Sequence, residues 1–392
     1  MNPLEPFAGW AGPRHSPRVL FVGEAFGATE DLHHAPFVGH AGKELLRMFG
    51  DADIAPGAAF AATKRVLYAG DELFIATREA WLREAGIALT NVFNVRPQDN
   101  KLEALCRADG KGLVFEGRAL SPLVRSPKHA YVAPSYVGHL ARLAGEVRTA
   151  KPNLVVALGA AALWGLTAAL GLRTGPGSHS EVRGTVMPGP PKCATTFHPA
   201  YVLRQWSART VTVADLIKFW RESASPGFVR PSRNVLINPE LSDIAAWALR
   251  AKDAPHLSVD IETKAGQITS IGFATSPTDA IVVPFVLVSD DPPRFASYWR
   301  DASGEFEARR LCRGLLASPV PKVFQNGLYD IQWLLRDRYP IRDVADDTML
   351  LHHAIHPEMR KGLGFLGSIY TNEPSWKLMR QRGKDDAVKA EE

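Results

Sequence analysis

The sequence predicts an α/β protein with two domains: an N-terminal α/β/α domain built on a parallel sheet, and a C-terminal domain built on a mixed sheet. Strand-like apolar runs alternate with helical patterns through the first half of the chain, as they do in parallel α/β sheets. Residues 223–236 contain two prolines and no clear period, which is typical of a linker. Beyond this linker, three strand patterns precede a helix, and this order indicates a mixed sheet.

The first domain, residues 1–222, is predicted to alternate strands with helices. Its first strand is the apolar run at 19–22, after which Gly23 and Gly27 free the backbone to turn sharply. Residues 101–133 are rich in Lys, Arg, Gly and Ser and have little periodicity, so a loop insertion is expected there. The strands are expected at 19–22, 88–94, 154–158 and around 194–197, and the helices at 41–50, 73–86, 135–149, 160–170 and 210–222.

The second domain, residues 237–392, is predicted to begin with a helix and continue with three neighbouring strands. A helix, a short strand and another helix follow them in the sequence. The expected helices are at 239–251, 305–317 and 327–337, and the expected strands at 257–262, 267–274, 280–286 and 322–325.

Composition and charge limit the classes of function. With 46% hydrophobic and 22% charged residues the chain is globular, and a net charge of +5 with a pI near 9.1 fits a nucleic-acid partner. The three cysteines, Cys106, Cys193 and Cys312, are far apart, and no secretory signal is visible, so a cytoplasmic protein without disulfides is expected. The charge-free run Leu154–Leu172 changes from strand-like to helix-like at Gly159, so we expect no membrane partner.

Polar and aromatic residues follow the first predicted strand of the first domain. Because strand, glycine turn and helix bring such residues to the carboxyl edge of an α/β sheet, where these sheets bind ligands, we expect a binding site at that edge. This segment carries the carboxylates Glu24 and Glu30 and an aromatic residue, Phe37.

Three segments of the first domain, residues 23–42, 90–100 and 198–204, together resemble the uracil-DNA glycosylase superfamily, and in particular its thermostable family-4 type. The first family motif reads Gly-Glu-Ala-Pro-Gly, Glu-Asp, Pro-Phe-Val-Gly and Ala-Gly, and residues 23–42 keep its spacing. Residues 90–100 resemble the Thr-Asn-Val and Arg-Pro-x-x-Asn segments, and residues 198–204 resemble the His-Pro and Leu-Arg motif. The resemblance covers residues 15–222 and implies excision of uracil, or of a related 5-modified uracil, from DNA.

The resemblance implies three base-binding residues. Phe37 would stack on the base that has been flipped out of the DNA. Asn91 has both a donor and an acceptor on its side chain, so it would read the O4 and N3 edge of uracil. Glu30 would lie where the methyl group of thymine would project.

The resemblance also implies catalytic and DNA-binding residues. Glu24 and Asn100 would position the attacking water. His198 would donate a hydrogen bond to uracil O2 as negative charge develops there during cleavage of the glycosidic bond. The residues that would enter the minor groove and hold the gap open are Tyr201, Leu203 and Arg204.

Two departures from the family pattern affect these expectations. Family-4 enzymes hold an iron–sulfur cluster with four cysteines, but Val95 stands where one of these cysteines would be, so we expect no cluster and no cofactor in this domain. Phe26 replaces the proline of the first motif. This replacement keeps an alternative open, in which the domain binds uracil or a modified base in DNA without cutting.

The second domain carries its own acidic pattern. Asp260 and Glu262 point to the same side of one predicted strand, because side chains alternate along a strand, and Asp330 begins a later helix. Carboxylates grouped in this way are typical ligands of Mg²⁺ or Mn²⁺. Asp-x-Glu followed by Asn-x-x-x-Asp resembles the first two motifs of the DEDD 3′–5′ exonucleases. Residues 250–378 resemble the ribonuclease-H-like proofreading domain of family-A DNA polymerases, especially phage ones.

The third motif of these exonucleases, Tyr-x-x-x-Asp, is not matched. Tyr370 is followed by Pro374 at the position of the aspartate, so we expect an incomplete exonuclease domain. The resemblances together imply the N-terminal part of a phage-like DNA polymerase in a bacterial or phage-infected cell. Its expected partners are DNA and the remainder of a family-A polymerase.

Overall fold

The computed structural model divides the chain into two compact units. The second unit, Val229–Leu363, is inserted between two parts of the first, which are Met1–Phe228 and the chain from Gly364 onward. The predicted second domain instead ran to residue 392, and the contacts of residues 364–373 described below are the reason for the difference. The structure describes residues 2–124, 129–172, 179–290 and 293–373.

The first unit contains strands β1–β7 and most of the helices. Short 3-10 helices lie at Gln98–Asn100, Leu102–Leu105, Ala108–Gly110 and Pro134–Tyr136. The strands are β1 (Val19–Ala25), β2 (Ile87–Phe93), β3 (Val114–Phe115), β4 (Arg118–Ala119), β5 (Leu154–Leu158), β6 (Val186–Met187) and β7 (Lys192–Thr196). The helices are α1 (Ala28–His33), α2 (His40–Asp51), α3 (Ala58–Arg65), α4 (Asp71–Ala85), α5 (Val137–Ala150), α6 (Ala160–Leu170), α7 (His179–Val182), α8 (Pro199–Arg204) and α9 (Ala208–Glu222).

A five-stranded sheet forms the centre of the first unit, in the order β2-β1-β5-β7-β6. The pairs β1–β2, β1–β5 and β5–β7 are parallel, and only the edge strand β6 is antiparallel to its neighbour. Val19 and Phe21 of β1 pack into one core, whereas Leu20 and Val22 pack into another. Strand β1 is therefore buried on both faces, as the sequence predicts for a parallel sheet covered by helices.

The predicted elements of the first unit are present, and the elements missed by the sequence are short. The run Leu154–Leu172 forms strand β5 and helix α6, with Gly159 between them at a φ of +92°. The helices α1 and α8 have six residues each, which is too short for a clear period of 3.6. Among the described helices, none combines the length and the apolar composition needed to cross a membrane.

The second unit contains a mixed sheet of six strands, in the order β15-β14-β9-β10-β11-β8. Its central strands β9, β10 and β11 are antiparallel neighbours, and the outer strands pair in parallel. The strands are β8 (Asn234–Leu236), β9 (Leu257–Lys264), β10 (Gln267–Ser276), β11 (Asp279–Pro284), β12 (Val286–Asp290), β13 (Pro293–Ser297), β14 (Lys322–Phe324) and β15 (Val344–Asp347). The helices are α10 (Leu241–Ala251), α11 (Ala302–Ala317), α12 (Gly327–Arg336) and α13 (Thr348–Ile355), and α14 (Leu363–Tyr370) follows.

A buried ion pair ties helix α5 to the central sheet of the first unit. Arg142 and Glu146 are one helical turn apart, 2.6 Å from each other, and neither side chain is exposed. Arg142 also donates hydrogen bonds to the carbonyl oxygens of Asn91 (2.6 Å) and Val92 (2.9 Å) in β2. Glu146 accepts a hydrogen bond from the Phe7 N–H at 2.7 Å. The pair therefore holds the strand that carries Asn91.

We expect Glu146→Ala to lower the free energy of unfolding by about 3–5 kcal/mol, because it leaves the Arg142 charge buried without its partner. Urea unfolding followed by circular dichroism measures the loss. The matched control is Arg148→Ala on the same helix, whose exposed pair with Glu116 contributes little in water. Equal unfolding midpoints for Glu146→Ala and the control would contradict this role.

Candidate functional site

A cavity of about 590 Å³ lies at the carboxyl ends of β1, β5 and β7 in the first unit. This is the edge of the sheet at which the sequence predicts a binding site, and the volume is in the usual range for ligand pockets. The predicted residues that line the cavity are Glu24, Asn100, His198, Tyr201 and Arg204.

His198 is held at the N-terminus of α8 by its own side chain. Its Nδ1 accepts a hydrogen bond from the Ala200 N–H at 3.2 Å, so in the neutral ring Nε2 carries the proton. Burial, assisted by the charge of Arg204, lowers the pKa of His198 to about 4. Gly159 leaves room for the ring, because a Cβ there would lie 3.0 Å from the His198 Cβ. The site therefore offers an uncharged imidazole with one N–H to donate.

Glu24 brings a carboxyl group to the same cavity. Burial raises the pKa of Glu24 to about 6, Arg204 opposes this rise, and Glu103 adds to it. Asn100 lies nearby on a 3-10 helix and accepts a hydrogen bond from Arg96 Nε at 3.0 Å. At pH 7 Glu24 is mainly ionised, so it can accept a proton from a water molecule in the cavity.

The predicted insertion contributes to the cavity wall, which the sequence did not indicate. Glu103 lies on the 3-10 helix Leu102–Leu105, and Leu123 and Val124 follow the β3–β4 hairpin. Lys101 completes this part of the lining. The segment has no period from which its position could be read, because it folds as short turns.

Phe37 and Asn91 do not line the cavity. Their exposed fractions are 4% and 2%. Asn91 is the register partner of Gly23 across the sheet, and a Cβ at residue 23 would lie 2.5 Å from Phe37 Cζ and closer still to the Asn91 side-chain oxygen. The Phe37 ring lies 6.1 Å from the His198 ring. The structure therefore brings these side chains together beside His198, but covers them.

Glu30 is buried, and its carboxylate serves the loop that carries Phe37. One oxygen accepts hydrogen bonds from the backbone N–H groups of Val38 (3.1 Å) and Gly39 (2.8 Å). The resemblance suggested that Glu30 lies against a thymine methyl group. In the structure its polar contacts are with the backbone, so it fixes the position of Phe37.

Arg78 holds the same loop from the other side, and sequence reasoning missed it. This buried residue of α4 donates hydrogen bonds to the carbonyl oxygens of Pro36 (2.8 Å) and Phe37 (2.6 Å). Phe37 has a φ of +57°, in the left-handed region that few residues other than glycine adopt. Arg78 follows Phe74 by four residues and so lies on the buried face of α4. Because a charged residue is rarely buried without partners, an arginine at this position could have indicated a structural role.

The three predicted DNA-binding residues lie on or at the end of α8. Tyr201 and Leu203 are 41% and 43% exposed, and Tyr201 packs against Phe197 with ring centres 5.1 Å apart. Trp206, just beyond the helix, is 62% exposed and lies over Arg209. This surface presents large apolar side chains beside the cavity.

Phe26, the departure from the family motif, is a core residue. It is 3% exposed, and its ring lies so close to Gly9 that a Cβ at residue 9 would be 2.7 Å from Phe26 Cζ. Its N–H donates a hydrogen bond to the Val95 carbonyl oxygen at 3.2 Å. Phe26 does not line the cavity, so the replacement leaves the chemical groups there unchanged.

In the second unit, Asp260 and Glu262 are exposed on the same side of β9, as strand alternation predicts. Asp330 on α12 is buried and accepts a hydrogen bond from the Ile261 N–H at 3.0 Å. Burial raises the pKa of Asp330 to about 6, this N–H opposes the rise, and Asp260 and Asp347 add to it. These carboxylates therefore influence one another through their charges.

Asp347, which follows in β15, is occupied by the backbone. It accepts hydrogen bonds from the N–H groups of Asn326 (3.0 Å), Gly327 (2.7 Å) and Met349 (2.8 Å). It therefore fixes the turn before α12 and the start of α13.

The described side chains offer few arrangements that could bind a metal ion. Within residues 2–124, 129–172, 179–290 and 293–373, no three His, Cys, Asp or Glu side chains are placed to hold one metal ion together. The predicted set Asp260, Glu262 and Asp330 is thus not a common binding group in this structure. For an iron–sulfur cluster the donors do not fit either, because the first unit has only Cys106 and Cys193.

A comparison with protein families decides the class of the first unit. The family model described as the uracil DNA glycosylase superfamily matches residues 10–223, which is more than half of the chain. The chain belongs to the uracil DNA glycosylase superfamily. The match includes every residue that lines the cavity of this glycosylase-superfamily unit.

Two further comparisons accompany this result. No curated protein matches the chain. Among solved structures, the catalytic core of RRP6 from Trypanosoma brucei is similar over 38% of this chain, with 16% sequence identity and a TM-score of 0.28. The matched part spans 37% of that chain.

We expect an NMR titration to find the His198 ring neutral down to about pH 4. Its folded-state pKa lies below the usual value of 6.5. The unfolded chain therefore binds more protons between those two values, and the stability that neutral His198 contributes is lost as the pH falls from about 6.5 through 4. If His198 instead titrates near 6.5, the proposed burial of its ring is wrong.

Proposed function

We propose that the glycosylase-superfamily unit excises uracil, or a related 5-modified uracil, from DNA by base flipping and hydrolysis of the N-glycosidic bond. The observation that carries this proposal is the cavity in which Glu24, Asn100 and His198 meet. Of the branches of the superfamily, the motifs favour a family-4-like enzyme that works without an iron–sulfur cluster. Membership of the superfamily supports action on DNA.

Each group in the cavity has a role in this reaction. As the glycosidic bond breaks, negative charge develops on the uracil base, and the His198 Nε2–H donates a hydrogen bond to O2. Glu24, assisted by Asn100, positions the water that attacks the sugar. A neutral donor suits this task, because its proton is already held on Nε2 by the Ala200 contact on the other nitrogen.

The base itself is recognised next to His198. Phe37 supplies a face for stacking, and Asn91 supplies a donor and an acceptor on a strand whose carbonyl oxygens Arg142 holds. Tyr201, Leu203 and Arg204 would fill the space that the flipped nucleotide leaves in the DNA. Because Phe37 and Asn91 are covered, entry of the base requires a local opening beside the Phe37 loop.

The burial of Phe37 and Asn91 also favours a second candidate function. A unit whose base-reading residues open only for the matching base, and whose water is not activated, would act as a non-catalytic module that binds uracil or a modified base in DNA. Both functions use Phe37 and Asn91. They differ in whether Glu24 and His198 are needed after the base is bound.

We expect the full chain to release uracil from a uracil-containing oligonucleotide in the presence of EDTA, because the groups in the cavity need no metal ion. Alkali cleavage of the abasic product, resolved on a gel, measures the rate. His198→Ala should slow excision about 10²–10³-fold, the scale for loss of one donor to a developing negative charge. His15→Ala, an exposed histidine outside the cavity, is the matched control.

The pH profile tests the water-activating residue in the same assay. Excision should rise as the pH increases through about 6, where Glu24 becomes ionised, and Glu24→Gln should remove this rise. Selective binding of uracil-containing DNA without any excision would support the binding module instead. Equal rates for the wild type, Glu24→Gln and His198→Ala would place the reaction elsewhere.

We propose that the second unit is a ribonuclease-H-like domain of the DEDD 3′–5′ exonuclease type, joined to the glycosylase unit as in the N-terminal part of a phage-like family-A DNA polymerase. Its mixed sheet and the shared face of Asp260 and Glu262 support this assignment. DNA and the remainder of such a polymerase are the proposed partners. Mg²⁺ or Mn²⁺ would be its metal, although the described carboxylates are not arranged to bind one ion together.

We expect this chain to show little or no Mg²⁺-dependent digestion of a 3′-labelled oligonucleotide. A nuclease of this type needs a metal site that places the attacking water, and Asp330 here gives one carboxylate oxygen to the Ile261 N–H. Asp260→Ala is the control that identifies any digestion as belonging to this unit. Strong digestion by the wild type that Asp260→Ala abolishes would show that the carboxylates do assemble into a working site.

A further inference from the structure

The chain that returns from the second unit packs against the glycosylase-superfamily unit. We call residues 364–373 the returning segment; it contains most of α14 and belongs to the first unit. Ser368 of this segment accepts two hydrogen bonds. Its hydroxyl accepts one from Arg183 Nη2 at 2.5 Å, and its backbone carbonyl oxygen accepts one from the Lys218 ammonium. At the end of the segment, Asn372 donates a hydrogen bond to Glu222 at 2.7 Å.

Behind Ser368, a buried network leads to the motif that carries His198. Arg183 Nη1 contacts both carboxylate oxygens of Asp215, at 2.6 and 2.8 Å, and Asp215 is fully buried. Asp215 in turn accepts a hydrogen bond from the Thr196 hydroxyl at 2.6 Å. Thr196 is the last residue of β7, two residues before His198.

The backbone of the first unit is shaped for this contact. Gly184 has a φ of +73°, and a Cβ there would lie 2.8 Å from the Ser368 carbonyl oxygen. Lys218 also donates a hydrogen bond to the Gly184 carbonyl oxygen at 3.0 Å. A side chain at Gly184 would therefore both strain the turn and displace the returning segment.

The charges of the network show why Ser368 matters. Arg183 contacts the carboxylate of Asp215, Lys218 lies near enough to interact with it through its charge, and all three side chains are buried. Burial lowers the pKa of Lys218 to about 8, although Asp215 opposes this. The hydroxyl and carbonyl oxygens of Ser368 accept hydrogen bonds from the two cations, Arg183 and Lys218. Removal of a partner from such a network leaves a buried donor unsatisfied.

We propose that the returning segment is a positioning element of the glycosylase site. Ser368 fixes Arg183, Arg183 fixes Asp215, and Asp215 fixes the end of β7, so that the His198 Nε2–H points at the base. This inference rests on the proposed glycosylase function. It makes catalysis by the first unit depend on a part of the chain that follows the whole second unit.

The test compares Ser368→Ala with two matched variants in the full chain. Ser368→Thr keeps the hydroxyl, and Thr371→Val removes a hydroxyl of the same segment that bonds only within it. We expect Ser368→Ala to lower the single-turnover rate of uracil excision roughly tenfold or more through misplacement of His198, with the affinity for uracil-containing DNA unchanged. Ser368→Thr and Thr371→Val should keep the rate. Arg183→Lys, which retains the charge and loses the two-pronged contact, should reproduce the loss.

A second readout separates this inference from the function on which it rests. The ¹⁵N resonances of the His198 ring should shift in Ser368→Ala and remain in place in Thr371→Val, whether or not the wild type cuts DNA. If the wild type does not cut but the His198 signals respond, the proposed function fails and the positioning element stands. An unchanged rate and unchanged His198 signals in Ser368→Ala overturn the inference. A rate that falls only in proportion to the unfolded fraction, in every variant alike, also overturns it.

Discussion

At Gly23 the backbone of β1 lies against two side chains that a residue with a Cβ would displace, those of Phe37 and Asn91. Because β1 is buried on both faces and paired on both edges, it cannot shift to relieve a clash. The Phe37 ring and the Asn91 amide therefore take their positions against one rigid strand, and the Phe37 ring lies 6.1 Å from the imidazole of His198. Arg78, Glu30 and Arg142 hold the surrounding backbone, and none of these three needs to touch a substrate.

The cavity shifts the pKa values of two titratable groups, lowering that of His198 and raising that of Glu24. Burial favours the neutral form of both groups, so the pKa of His198 falls to about 4 and that of Glu24 rises to about 6. Arg204 lowers both pKa values, which keeps the imidazole uncharged and returns Glu24 toward the anion. At neutral pH the result is a neutral donor and a charged acceptor in one cavity.

The sequence predicted those strands and helices that a regular pattern of neighbouring residues encodes. Periodicity predicted most of the longer strands and helices of both units, and strand alternation predicted the common face of Asp260 and Glu262. The motifs also predicted that Glu24, Asn100 and His198 belong to one site, and all three line the same cavity. Contacts between distant parts of the chain were not predicted, because no period links Arg78 to Pro36 or Ser368 to Arg183. The end of the second unit was misplaced for the same reason.

The insertion of one unit within the other also has a consequence for biosynthesis. Ser368 follows Lys218, its hydrogen-bond partner, by 150 residues. At ordinary rates of translation, the ribosome needs roughly 8–30 seconds to make that length of chain. During this interval the nascent first unit holds the cations of Arg183 and Lys218 without Ser368, while the second unit is being made and can fold. The first unit can therefore be completed only after the whole second unit has been made. A chaperone that binds the nascent chain would meet an incomplete first unit beside a complete second unit.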